Sequence, residues 1–454
     1  MSKNIRSGAI AALMILLLIT VAQAQETGAA PKTKAPAQSV AELEQKAYTA
    51  YQDKSWVRMY GYNMNLHQMR PFVPEYMVNI VLASASLNKA TTAYHYMLKM
   101  QQQGLFFDFN QYPETESIRG TEAYAYINDL AVKAGQPAGE GAKILTLDVK
   151  TGDLGDIAWD SSRERFLVGT RIEGELLAVK DNGKSKVLLK ADDENGLWSI
   201  DGIAVDAVNN RLWIASNASR TFRHYTPADA GRGSLFEFDL KTLELVKRYN
   251  LPVDPLPHEL GGIALTGNGD VYVVDRATPI IYRKPESGGS LQVFAGSPEL
   301  VALTDLAVAP DNSRIFVADA VMGILLIDPL AQRSSMLAGP ETLNLSGVYG
   351  IEYIGGNLLI TQSGISPQRI MRLKMDPNGM QVDTVTPMAS SLPGFDTPGV
   401  GTIRDGSFYY FANHGTAKSD QDLLLMATPL RAGNEVKPPD MDQFGEAIKN
   451  QMNQ

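Results

Sequence analysis

Four aspartates stand beside predicted strand ends and could supply oxygen ligands to a metal ion. Asp156, Asp201 and Asp305 begin an apolar strand, whereas Asp319 ends one. In an antiparallel hairpin, the start of the first strand and the end of the second lie together. We therefore expect all four carboxylates around one channel mouth, where such ligands suit Ca²⁺, Mg²⁺ or Mn²⁺. In the alternative, each aspartate only binds nearby backbone amides.

Polar side chains at equivalent positions form the predicted substrate-binding set. The same hairpin rule places these residues around the mouth: Asn217, His258, Arg276, Tyr349, Gln362 and Asn413. A cation there would polarise a carbonyl, and Asp201 or Asp305 would deprotonate the attacking water. Asp201 and Asp305 are therefore the candidate catalytic residues.

Six copies of one sequence motif predict the β-strands that position these residues. Each copy has a small or acidic residue, an apolar strand, a tight polar turn and a second strand; the copies span 155–170, 201–216, 261–275, 304–319, 349–362 and 398–413. Each interval fits one four-stranded blade of about 40 to 50 residues, with an insertion in the second. The sequence predicts a mainly β fold, a six-bladed β-propeller over 140–432. We expect the segment ILTLDV (144–149) to close the sixth blade.

The segment 39–134 has helical spacing instead. Four helices in two hairpins and a further helix over 121–134 are predicted, with a period that weakly resembles tetratricopeptide repeats. Such a region could dock a protein partner through a concave surface. It could equally pack on the propeller and stabilise it.

The two ends of the chain have different compositions from the propeller. Residues 1–24 read as a signal peptide, because Lys3 and Arg6 precede a short apolar run that ends in Ala22-Gln23-Ala24. Residues 25–38 read as a flexible linker and residues 433–454 as a C-terminal tail. We expect a periplasmic or secreted protein with no stable membrane span after cleavage. The net charge of −9, with no basic stripe, argues against a nucleic-acid partner.

The region from Ile144 to Leu430 resembles the SMP-30/gluconolactonase/LRE-like propellers. The phrases DGIAVDAVNNRLWIAS, GGIALTGNGDVYVVD and TDLAVAPDNSRIFVADAVMGILLID carry the resemblance, although similar phrases occur in NHL-type propellers that bind partners. It implies one divalent cation, held by Glu, Asn and Asp, and hydrolysis of sugar lactones. Asp201 matches the family Asp, and Gly155 followed by Asp156 stands where the family has Glu. No N-G phrase at an inner-strand start supplies the Asn.

Three functions follow from these patterns. The first is a metal-dependent hydrolase whose small-molecule partner is a sugar lactone or ester. The second is a non-catalytic periplasmic scaffold that binds a ligand or a protein, the latter through the helical region. The third is a redox propeller carrying a quinone cofactor, which no residue requires.

Overall fold

The computed structural model describes residues 39–251, 256–414 and 421–431. The predicted signal peptide, the linker and the C-terminal tail lie outside the described residues. The helices and the propeller belong to one compact unit. None of the helices in the described ranges combines the length and apolarity needed to cross a membrane.

Five α-helices precede the propeller, as the spacing of apolar residues predicts. They are α1 Val40–Gln52, α2 Trp56–Met69, α3 Pro74–Ser86, α4 Ala90–Gln102 and α5 Glu122–Lys133. Pro74 occupies the first turn of α3, where its missing N–H costs nothing. The Thr121 side chain caps α5 by accepting a hydrogen bond from the backbone N–H of Tyr124. Successive helices pack on one another around a shared core. The likeness to tetratricopeptide repeats stays a prediction.

Six antiparallel sheets form the propeller and confirm the predicted fold class. Two strands come first, the two-residue β1 Ala138–Gly139 and the nine-residue β2 Ala142–Lys150. Blades one to three comprise β3 Leu154–Asp160, β4 Arg165–Thr170, β5 Glu175–Val179, β6 Ser185–Lys190, β7 Ser199–Asp206, β8 Arg211–Asn217, β9 Gly233–Asp239, β10 Leu245–Asn250, β11 Leu260–Leu265, β12 Val271–Asp275, β13 Ile280–Lys284 and β14 Gln292–Gly296. Blades four to six comprise β15 Leu303–Val308, β16 Ile315–Asp319, β17 Gly323–Asp328, β18 Arg333–Met336, β19 Val348–Ile354, β20 Asn357–Gln362, β21 Arg369–Met375, β22 Val382–Ser390, β23 Gly401–Arg404, β24 Ser407–Phe411 and β25 Asp422–Pro429.

Strand β2 closes the ring, as predicted. It pairs antiparallel with β25 and completes the sixth sheet from the opposite end of the propeller sequence. Its buried residues Leu145 and Leu147 enter a core cluster that joins the sixth blade to the first. Strand β1 adds a fifth strand to blade five by pairing with β22, which the sequence did not predict.

The helical region is anchored to blades four and five by buried polar contacts. Arg369 donates from Nη1 to the carbonyl of Gln103 at 2.8 Å, just beyond α4. Asn344, in the loop before blade five, donates to the side chain of Gln103 and to the carbonyl of Phe72, both at 3.0 Å. Ile365 packs into the core of the helical region. All these loops face the same way as the predicted mouth, so the helical region flanks it.

Candidate functional site

A cavity of about 240 Å³ occupies the channel along the inner strands. Its lining includes Asp156, Asp305 and Glu352, and it also includes Trp159 and Tyr353, which come later on their strands. The cavity runs down to the strand ends beside the short turns. The lining residues do not include Asp201 or Asp319. The structure therefore brings Asp156 and Asp305 together with Glu352, and not with the other predicted aspartates.

Asp156 and Asp305 each accept hydrogen bonds from two neighbouring blades. Asp156 accepts hydrogen bonds from its neighbour Ile157 N–H and from Ile203 N–H of blade two, both at 2.7 Å. Asp305 does the same with Leu306 N–H at 2.9 Å and Ile351 N–H of blade five at 3.0 Å. Each carboxylate thus has one hydrogen bond per oxygen and can accept more, since a carboxylate has about four acceptor sites.

The three channel carboxyls all have raised pKa values. Burial, followed by the charge of Asp305, raises the pKa of Asp156 to about 7. Burial raises the pKa of Asp305 to about 6, against the opposing hydrogen bonds and the charge of Arg276. Burial and the two aspartates raise the pKa of Glu352 to about 8. Acid–base groups poised near neutral pH in a cavity are typical of functional sites.

A charged cluster forms the mouth at the long-loop face; it comprises Arg171, Asp201, Glu259, Arg276, Tyr349 and His414. Arg171 lies between two acids, with Nε 2.7 Å from Asp201 Oδ1 and Nη2 2.8 Å from Glu259 Oε1. Asn217 donates to the other oxygen of Asp201 at 2.9 Å. Burial raises the pKa of Asp201, and Arg171 and Asn217 oppose this. Asp201 is thus a fully buried partner of an arginine and an amide.

Arg276 occupies the other side of the mouth. Its Nε donates to the carbonyl of Thr304 at 3.2 Å. Within the described ranges, its two Nη groups have no hydrogen-bond partner and no carboxylate lies within ion-pair distance. Its guanidinium lies against Gly261, where a Cβ would collide with it. The side chain therefore presents free donors in a fixed position.

Tyr349 and His414 complete the mouth. Their rings lie 5.3 Å apart between centroids. Burial raises the pKa of Tyr349, whereas the nearby charges of Arg276 and Arg171 oppose the shift. Burial, reinforced by the charges of the two arginines, lowers the pKa of His414 to about 4, although the hydrogen bond that its ring donates to the Leu154 carbonyl opposes the shift. At neutral pH the phenol keeps its proton and the imidazole is uncharged.

The other predicted site residues bind parts of the propeller itself. Asp319 accepts four backbone N–H groups, from Val301, Ala302, Val321 and Met322. His258 contacts Asp275 at 2.6 Å. Gln362 donates to the carbonyls of Asn344 and Ser346. Asn413 joins Asp422 and Leu424, and Asn217 also joins β8 to Leu260. These side chains fix the strands and loops around the mouth.

The predicted cation ligands do not form one donor set. Asp156 and Asp305 lie in the channel, Asp201 binds Arg171, and Asp319 holds four amides. In the part of the chain that the structure describes, no group of three His, Cys, Asp or Glu side chains could hold a metal ion. The calcium, magnesium or manganese site stays a prediction.

Glu352 is the channel residue that the sequence reasoning missed. It occupies the fourth position of its repeat, where four other blades have Ala158, Ala204, Ala264 and Ala307. The inner strands surround a narrow channel, and the residues at this repeat position line it. A glutamate in place of alanine at this position therefore lies in the channel. Comparing the aligned phrases position by position would have revealed it.

Comparison with known proteins identifies similar solved structures. No family model and no curated protein matches the sequence. A gluconolactonase from Xanthomonas campestris is 15% identical, covering 65% of this chain and 95% of that chain with a TM-score of 0.44. A luciferin-regenerating enzyme is 14% identical, covering 66% and 100% with a TM-score of 0.46. A streptogramin B lyase is 13% identical, covering 64% and 97% with a TM-score of 0.43. These likenesses concern the fold alone.

Proposed function

We propose that this protein is an exported hydrolase of lactones or related esters. One observation carries the proposal: Arg276, whose Nη groups have no partner among the described residues, acts electrostatically on Asp156, which is buried, and on Asp305, which is half-buried; their pKa values are raised to about 7 and 6. The positive charge of Arg276 lowers the pKa of both carboxyls, against the larger effect of burial. Hydrolysis of a carbonyl compound needs a donor for the developing oxyanion and a base for the attacking water. The mouth and the channel offer both.

In the proposed reaction, Asp305 takes a proton from water as the water oxygen bonds to the carbonyl carbon. Arg276 and the Tyr349 hydroxyl donate to the carbonyl oxygen as it gains negative charge. The C–O bond to the ring or alkoxy oxygen then breaks, and the proton on Asp305 passes to that oxygen. Asp201 acts differently from the sequence-based hypothesis, because it holds Arg171 in place and does not serve as the base.

A panel of lactones and esters tests the proposal directly. Asp305→Asn should lower kcat by about 10²- to 10⁴-fold, the usual contribution of a general base. Gly262→Ala should lower it as well, because a Cβ there would collide with the Asp305 carboxylate. Gly120→Ala is the matched control, since its Cβ would meet no atom. Absence of turnover in the wild type across the panel, or full activity in Asp305→Asn, would contradict the proposal.

A second candidate is a non-catalytic binding protein. The helical region favours it, because Gln103 and Phe72 attach that region to the face that carries the mouth. A protein partner could then contact the helices and the mouth together. Binding of a ligand or a protein to this face without turnover of any lactone or ester would support this candidate.

A further inference from the structure

Arg276 differs from the other mouth arginine in its partners. Arg171 contacts both Asp201 and Glu259. Arg276 makes one hydrogen bond, from Nε to a backbone carbonyl. Both of its Nη groups remain unbound by the described residues. A guanidinium is a planar fork that matches the two oxygens of a carboxylate, and it stays charged at every pH that a protein tolerates.

We infer that the mouth binds the carboxylate of a small hydroxy acid, with Arg276 as its bidentate anchor. The Tyr349 hydroxyl is a further donor, and it too has no partner among the described residues. The Glu259 carboxylate is 38% exposed and engages Arg171 through one oxygen. Its other oxygen can accept a hydrogen bond from a ligand hydroxyl. The ligand therefore has a carboxylate at one end and hydroxyls beside it.

This ligand class deepens the proposed function, and it rests on that function only for the origin of the ligand. Hydrolysis of a sugar lactone yields a hydroxy acid, so the ligand would be the product retained in the mouth. Anion binding by Arg276 does not itself require turnover. The two proposals can therefore fail separately.

The channel carboxyls oppose an anionic ligand when they are ionised. Arg276 interacts electrostatically with Asp156, Asp201, Asp305, Tyr349 and His414. Asp201 is already balanced by Arg171, while Tyr349 and His414 are neutral near pH 7. The positive charge of Arg276 must therefore outweigh these carboxylates for an anion to bind.

Calorimetric titration with gluconate at low salt tests the inference. Arg276→Gln should weaken binding roughly ten- to a hundredfold, because losing hydrogen bonds between charged groups typically reduces affinity by this factor. Arg276→Lys should recover part of it, because an ammonium keeps the charge without the fork. Arg333→Gln, exposed on β18, is the control and should bind like the wild type. Glucose, which has hydroxyls without a carboxylate, should bind much more weakly.

Tyr349→Phe removes one hydroxyl and should weaken gluconate binding roughly two- to tenfold, even if Arg276→Gln fails to fold. The inference is overturned if wild-type protein does not bind gluconate, or if Tyr349→Phe and Arg276→Gln both bind it like the wild type. Gluconate binding of this kind without lactone turnover would retain the inference and reject the hydrolase. Turnover without gluconate binding would do the reverse.

Discussion

Replacing Leu147 with alanine should destabilise the closure between the last and the first blade. Leu147 is 1% exposed and pairs across the sheet with Leu423. Its core cluster includes Leu154 and Ile157 of blade one, together with Phe411 of blade six. The substitution thus removes apolar contacts from the junction that completes the ring.

The expected cost combines two terms. Burying a leucine side chain contributes about 1.5–3 kcal/mol, and a cavity left behind adds to the loss. The cavity should persist, because hydrogen-bonded strands of two blades fix its walls. We expect a loss of about 2–5 kcal/mol in the free energy of unfolding.

Urea unfolding followed by tryptophan fluorescence measures this loss. Thr146→Ala is the matched control, because Thr146 is the exposed neighbour on the same strand. It should cost less than about 1 kcal/mol. If Leu147→Ala were no more destabilising than Thr146→Ala, closure by β2 would not contribute to stability as argued.

Three further predictions concern charged groups. Glu352 has a folded pKa of about 8, raised above its unfolded value, so its stabilising contribution is full below about pH 4 and is lost as the pH rises to 8. Glu352→Gln should therefore raise stability by about 3–4 kcal/mol more at pH 8 than at pH 5 in urea titrations, and an equal effect at both pH values would contradict the shift. Arg369→Gln should cost about 1–3 kcal/mol per carbonyl left without a donor, compared with exposed Lys374→Gln as control in thermal melts. Calcium or manganese should leave the melting temperature unchanged, because the four aspartates do not converge; a rise abolished by Asp201→Asn would restore the cation site.

The sequence predicts the architecture well because the architecture repeats. Each blade restates the same alternation of apolar strand and polar turn, so errors in one copy are corrected by the others. The closing strand β2 is predictable for a related reason, since the sixth phrase is followed by too few strands. The pairing of β1 with β22 involves two residues, Ala138 and Gly139, and carries no periodic signal.

The site is harder to predict because identical residue types perform different tasks. Asp305 and Asp319 both stand at strand ends, yet one lines the cavity and the other binds four loop amides. The sequence pattern contains the strand position and not the path of the following loop. Likewise, Arg171 and Arg276 occupy comparable positions, but among the described residues only Arg171 forms ion pairs with carboxylates. Their difference arises from contacts between blades that are distant in sequence.

The pairing of β2 with β25 also constrains the order of folding. Strand β2 is the first full-length strand of the propeller sequence, and its partner is the last. Blades one to five can pair strands locally, whereas blade six needs a contact that spans nearly the whole propeller, and such distant contacts form slowly. Until Asp422–Pro429 has been synthesised, Leu145 and Leu147 lack their cross-strand partners Leu425 and Leu423, and only the blade-one part of their cluster can cover them. A ribosome-bound chain would thus carry an unpaired apolar strand through most of its synthesis, which makes β2 a natural segment for a chaperone to bind.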